Sequence, residues 1–184
     1  MNVLTTASRD SQAITILGSS GSIGQSTLEV LAKHPKRFSI FALTANTRAD
    51  LLLEQCEKWQ PKYAVINDSS QAASLASAFK QKALPTQLLV GAEGLDAVAS
   101  DSSVDVVMAA IVGAAGLQST LSAVNAGKKV LLANKEALVM AGALFMQAVA
   151  RSGAGLLPID SEHSALFQCM PASAEGLGAD SCSN

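Results

Sequence analysis

The sequence predicts an α/β domain: a doubly wound parallel sheet with helices on both faces. Three observations carry that prediction. Short apolar segments alternate with longer amphipathic ones along most of the chain, the pattern of repeated βαβ units. The short segments, such as "YAVI" at Tyr63 and "VVMAAI" at Val106, are apolar at consecutive positions, as strands buried on both faces require. The first of them runs directly into the glycine-rich turn "LGSSGSIG".

Each element follows in order. "ITIL" (Ile14–Leu17) is a strand, and helical spacing runs from about Ile23 to Lys33. "FSIFAL" from Phe38 is the second strand, and "RADLLLEQCEKW" the second helix. "YAVI" is followed by a polar, alanine-rich helix to about Lys80, then by "QLLV" at Gln87 and a short helix around Gly94–Ala99. "DVVMAAI" at Asp105, a helix near Leu117–Ala126 and "KVLLA" at Lys129 come next. A helix across Glu136–Arg151 and the strand "GLLPID" at Gly155 complete the series. Thereafter "PASAEGLGADSCSN" loses all periodicity and is expected to be a mobile tail.

Composition narrows the function classes. At 184 residues and 49% hydrophobic, with 4% aromatic, the chain can bury one sizeable core. A net charge of −2 argues against nucleic acid as a partner. The longest apolar run, Val106–Leu117, is too short to span a bilayer, so no membrane is predicted. The leader "MNVLTTASRDSQ" lacks a basic start followed by an apolar stretch. Cys56, Cys169 and Cys182 share no metal or redox spacing. Together these features predict a cytoplasmic protein, with Cys56 half-buried on a helix.

The glycine turn is the strongest functional signal. At the first strand-to-helix turn of such a sheet, glycines let the backbone bend sharply and approach a pyrophosphate, while the helix N-terminus offers N–H groups and a positive dipole end. Gly18, Gly21 and Gly24 supply those freedoms in a GxxGxxG variant of the dinucleotide-binding, Rossmann-like fingerprint. Cofactor type is read at the end of the second strand, where an NAD site places Asp or Glu against the ribose. Here Asn46, Thr47 and Arg48 stand there, and Asp50 falls inside the following helix. A cation with small donors suits a 2′-phosphate, which favours NADPH over NADH.

Two further strand ends carry polar groups. Asn134, Lys135 and Glu136 follow "VLLA" and deliver an amide, a cation and a carboxylate to the sheet's carboxyl edge; Asn134 as a helix cap and Glu136 as a first-turn acid are compatible alternatives. Asp160 and Glu162, two apart, share one face in an extended segment and diverge on a helix. In the extended case they suit Mg²⁺ or Mn²⁺. His163 reads as a packing residue.

"TILGSSGSIGQSTLEV", "VMAAIVGAAGL", "LLANKEALV" and "LLPIDSEHSALFQ" together resemble the N-terminal, cofactor-binding domain of the 1-deoxy-D-xylulose 5-phosphate reductoisomerase family, from about Ile14 to Pro171. The resemblance implies that Ser20, Gly21, Ser22 and Ile23 line the NADPH pyrophosphate and that Asn46, Thr47 and Arg48 form the 2′-phosphate loop. In that loop the family's glycine-lysine-asparagine pattern is replaced. It further implies nicotinamide-ribose contacts from Asn134 and Glu136, substrate contacts from Lys135 and Ser161 at the catalytic centre, and metal ligation by Asp160 and Glu162.

The implied reaction rearranges a phosphosugar, 1-deoxy-D-xylulose 5-phosphate, and reduces the product with NADPH to 2-C-methyl-D-erythritol 4-phosphate, for isoprenoid biosynthesis by the non-mevalonate route. The implied assembly is a homodimer. Residues 1–13 read as an N-terminal extension, 14–155 as the NADPH-binding domain, 156–171 as the start of a catalytic domain and 172–184 as the tail. Family members continue into a domain that supplies a third metal carboxylate, so the cation site is expected to be incomplete and these 184 residues to bind NADPH without turnover. Two other classes fit parts of the pattern. A non-catalytic dinucleotide-binding module would ignore metal, and an aspartate-semialdehyde-type dehydrogenase would need a cysteine nucleophile.

Overall fold

In a computed structural model, which describes residues 11–133 and 135–159, the alternation becomes a single parallel sheet of seven strands in the order β4-β3-β2-β1-β5-β6-β7. The strands are β1 (Gln12–Leu17), β2 (Phe38–Ala45), β3 (Tyr63–Ile66), β4 (Gln87–Val90), β5 (Val106–Ala109), β6 (Lys129–Leu132) and β7 (Gly155–Pro158). Between them run α1 (Ser22–Ala32), α2 (Ala49–Trp59), α3 (Ala72–Gln81), α4 (Gly91–Ser100), α5 (Leu117–Asn125) and α6 (Lys135–Ser152). The predicted class and element order hold. β1 starts two residues earlier than the sequence suggests, and β7 carries the sheet through Pro158.

Burial on both faces explains the continuous apolar strands. Successive side chains point to opposite sides, so Ile14, Ile16, Leu43, Ala64, Ile66, Val106 and Met108 pack with Leu28, Leu31, Leu52 and Phe79 on the side of α1, α2 and α3. Leu17, Ala42, Val65, Val107, Ala109, Val130 and Leu132 pack with Leu95, Val98, Val124 and Phe145 on the side of α4, α5 and α6. The pairing of β1 with β2 steps from Ile14–Ile40 to Thr15–Ala42, so Phe41 is an extra residue in β2. This bulge resets the strand's alternation before its last four residues.

Buried polar groups are all satisfied among the described residues. Thr15 donates to the Val98 carbonyl at 2.8 Å, and buried Lys128 donates to the Val104 carbonyl at 2.8 Å. Asp105 accepts from the Ala13 N–H at 2.7 Å, tying β1 to the loop before β5.

The last helix covers the predicted residues with a bend: Ala141 leaves helical geometry at φ −140°, ψ 27°, beside Gly142, where the intrinsic cost of bending is low. One sequence reading needs correction. Cys56 is helical but fully buried, not half-buried, because α2 presents it beside Leu52 to the sheet. No helix among the described residues is long and apolar enough to cross a membrane.

Burial pushes the Cys56 thiol up to about 12 from an ordinary 9.0, since the thiolate would lose its hydration. The unfolded chain therefore releases this proton first. The stabilising effect is complete below pH 9 and is lost as pH rises toward 12. We predict that the thermal midpoint of the wild type falls toward that of Cys56→Ala across this interval, as calorimetry at matched ionic strength would show; a constant gap would count against a buried thiol.

Candidate functional site

Side chains and backbone converge where the carboxyl ends of β1, β2, β3 and β5 meet, beside the point at which strand order reverses between β1 and β5. A cleft of about 360 Å³ opens there, floored by Gly18, Ser20 and Gly21. Asn46 and Asn67 form one wall, and Leu95, Ile111, Val112 and Ala115 contribute to the other.

The three glycines do different work. Gly18 adopts φ +80°, and a Cβ there would lie 3.0 Å from the Ala110 carbonyl oxygen. Gly24 brings α1 onto the turn so closely that a Cβ would sit 2.5 Å from Ser19 Cα. Gly21 is different: it has ordinary extended geometry (φ −79°, ψ 169°), it is exposed, and a Cβ would meet nothing closer than 3.4 Å. Nothing among the described residues demands glycine at this position. It caps α1 without any side-chain hydrogen bond, and its own N–H donates to the Gly18 carbonyl at 3.1 Å.

The turn is held from β2 and α2. The Gly18 N–H donates to the Thr44 hydroxyl at 2.8 Å and the Ser19 N–H to the Thr44 carbonyl at 2.8 Å. Ser19 is fully buried, and its hydroxyl donates to Gln55 Oε1 at 2.7 Å. Ser20 is half-buried at the cleft floor, its carbonyl accepting from Gln25 at 3.1 Å. Ser22 and Ile23 border instead a separate apolar groove on the α1 side, with Phe38, Val106, Met108 and Ile159.

Asn46, Thr47 and Arg48 are exposed at the end of β2. Asn46 accepts from Asn67 Nδ2 at 3.0 Å, and its carbonyl accepts from the Asp68 N–H at 3.0 Å. Arg48 occupies the capping position of α2 and has no ion-pair partner among the described residues. Asp50 lies in the first turn of α2, as the sequence predicts. Lys135 and Glu136 open α6. Asn134, Asp160, Ser161, Glu162, His163, Cys169 and Cys182 lie outside the described residues. Among the described residues no group of three or more His, Cys, Asp or Glu could hold a metal.

Sequence reading missed Thr44, Gln55 and Asn67. Gln55 carried a signal, a lone amide on the helix face that also presents Leu52 and Cys56. Thr44 and Asn67 are polar residues at the ends of buried strands and resemble many others.

A family model described as 1-deoxy-D-xylulose 5-phosphate reductoisomerase matches residues 14–142. Proteins of that name from Ectopseudomonas mendocina and Pseudomonas fluorescens are 61% and 62% identical over 160 and 161 residues, covering 87% and 88% of this chain. The chain spans 41% of the length of each. Among solved structures, a DOX-P reductoisomerase in complex with NADPH, fosmidomycin and magnesium superposes with a TM-score of 0.87 at 49% identity, over 89% of this chain and 40% of that one. The Zymomonas mobilis enzyme in complex with NADPH gives 0.84 at 42%, over 89% and 42%.

The glycine geometry predicts opposite outcomes for two alanine substitutions. Gly24→Ala should cost about 1–3 kcal/mol, since backbone on the turn must move. Gly21→Ala should change stability by less than about 0.5 kcal/mol. Urea unfolding measures both, and equal losses would show that the turn is packed differently.

Proposed function

The chain belongs to the 1-deoxy-D-xylulose 5-phosphate reductoisomerase family, and from that premise we propose that it forms the NADPH-binding part of an enzyme making 2-C-methyl-D-erythritol 4-phosphate. The observation that carries the proposal is Gly21, a glycine that no neighbouring atom among the described residues requires, at the mouth of a helix with no side-chain cap and on the floor of the cleft. A side chain there would fill the space in which a pyrophosphate reaches the main-chain N–H groups.

The residues divide the binding task. The main-chain N–H groups of Ser20 and of Ser22 to Gly24 bind the doubly charged bridge, the Gly21 N–H being held by the Gly18 carbonyl, and the helix dipole adds to the attraction. Arg48, exposed and without an ion-pair partner among the described residues, meets the 2′-phosphate with help from Asn46 and Thr47. Ile111 and Val112 close the opposite wall and keep water from the adenosine side. NADPH supplies the hydride, and the protein's contribution is to hold it in one orientation against the substrate.

Further roles rest on the family resemblance. In this proposal Asn134 and Glu136 hold the nicotinamide ribose, Lys135 and Ser161 bind the phosphosugar, and Asp160 and Glu162 ligate Mn²⁺ or Mg²⁺. Residues 14–155 form the nucleotide-binding domain and 156–171 open the catalytic one, with β7 as the strand on which the sheet hands over. The enzyme is placed in the cytoplasm, consistent with a free, buried Cys56, and as a homodimer.

Fluorescence titration with both cofactors tests the nucleotide site. Arg48→Ala should weaken NADPH binding at least tenfold, about the worth of one charge-assisted hydrogen bond, and barely change NADH. Gly21→Ala should weaken both; equal losses for Arg48→Ala would remove the 2′-phosphate assignment. For the metal site, calorimetric titration should show Mn²⁺ binding that is weak in the wild type and absent in Asp160→Asn. Identical isotherms would exclude Asp160 as a ligand.

A further inference from the structure

We infer that Gln55 is a positioning residue for the cofactor cradle: its side-chain amide grips Ser19 at two points and thereby fixes the direction in which Ser20, whose N–H shares the peptide plane of the Ser19 carbonyl, presents that N–H group. The inference rests on the dinucleotide reading above and extends it to a residue that cannot touch the ligand.

Ser19 is fully buried and Gln55 is 7% exposed. Gln55 Nε2 donates to the Ser19 carbonyl at 2.9 Å, and Gln55 Oε1 accepts from the Ser19 hydroxyl at 2.7 Å. Both polar ends of one amide are therefore spent on one residue, 36 positions away in the chain. The remaining Ser19 group, its N–H, donates to the Thr44 carbonyl. Every polar atom of Ser19 is thus held by β2 or α2.

Packing alone does not call for an amide at this position. The same face of α2 buries Leu52 and Cys56, and an apolar side chain of equal volume would fill the space but take the Nε2 donor from the buried Ser19 carbonyl. What the amide adds is direction. A peptide whose carbonyl and hydroxyl are both fixed has little freedom left, and the next two residues form the cleft floor.

The grip has a mechanical consequence. α2 begins directly after Asn46, Thr47 and Arg48, and Gln55 lies two turns along it. The pyrophosphate turn and the 2′-phosphate loop are thereby parts of one body with a fixed spacing. A ligand carrying both phosphates meets two sites already set at the right separation and loses less affinity to ordering.

The test uses the 184-residue chain and two ligands: NADPH, and adenosine 2′-phosphate, which lacks the pyrophosphate. Gln55→Leu keeps the volume, and Ser19→Ala deletes only a hydroxyl and carries the test should Gln55→Leu not fold. Both variants should bind NADPH about tenfold more weakly and adenosine 2′-phosphate within about twofold of the wild type. Unchanged NADPH affinity overturns the inference. So does a parallel loss of both ligands, which a merely structural role would give. A wild-type chain that binds NADPH poorly would instead overturn the dinucleotide reading, and this inference with it.

Discussion

Close approach of three chain segments at the end of β1 is the constraint on which the site depends. The turn lies against Ala110, directly after β5, at Gly18 and against α1 at Gly24, in each case closer than a side chain readily fits. These contacts leave the turn one conformation, and that conformation leaves Gly21 open to the cleft. Had α1 stood farther off to admit a Cβ, its first N–H groups would have moved away from the cleft floor. Packing and binding geometry are therefore set by the same few atoms.

The sheet supplies the rigidity that such a turn needs. β1 is central, paired on both edges, and its side chains enter both cores. The bulge at Phe41 matters here because it determines what the end of β2 presents. Beyond it, Leu43 and Ala45 enter the core beneath α1 and α2, while Thr44 offers its hydroxyl and carbonyl to Gly18 and Ser19. Without the extra residue the alternation would be out of phase, and a side chain with no acceptor, such as Leu43 or Ala45, would stand where the turn needs one.

Much of this was legible in the sequence, for identifiable reasons. Strands buried on both faces announce themselves as unbroken apolar runs, and the helices between them by their spacing, so element order was recovered throughout. The glycine turn was legible because its spacing sits between a strand and a helix. Gln55 and Thr44 escaped because hydrogen bonds between residues distant in the chain leave no local periodicity. The burial of Cys56 and the bend at Ala141 escaped for a related reason: both depend on how a helix is seated against its neighbours, which its own residues do not state. The roles of Asn134, Asp160, Ser161 and Glu162 stay where the sequence put them, as proposals outside the described residues.

The strand order also bears on how the molecule is made. β1 pairs with β2 on one edge, but its other partner, β5, lies some ninety residues downstream, after the chain has laid β3 and β4 outward and crossed back through α4. During synthesis from the amino terminus, Ile14, Thr15, Ile16 and Leu17 therefore wait as an unpaired, strongly apolar border until Val106–Ala109 leaves the ribosome. The segment leading into the glycine turn is thus the one left longest open to improper partners, and it is closed by the strand that runs on into Ala110, Ile111 and Val112 at the cleft.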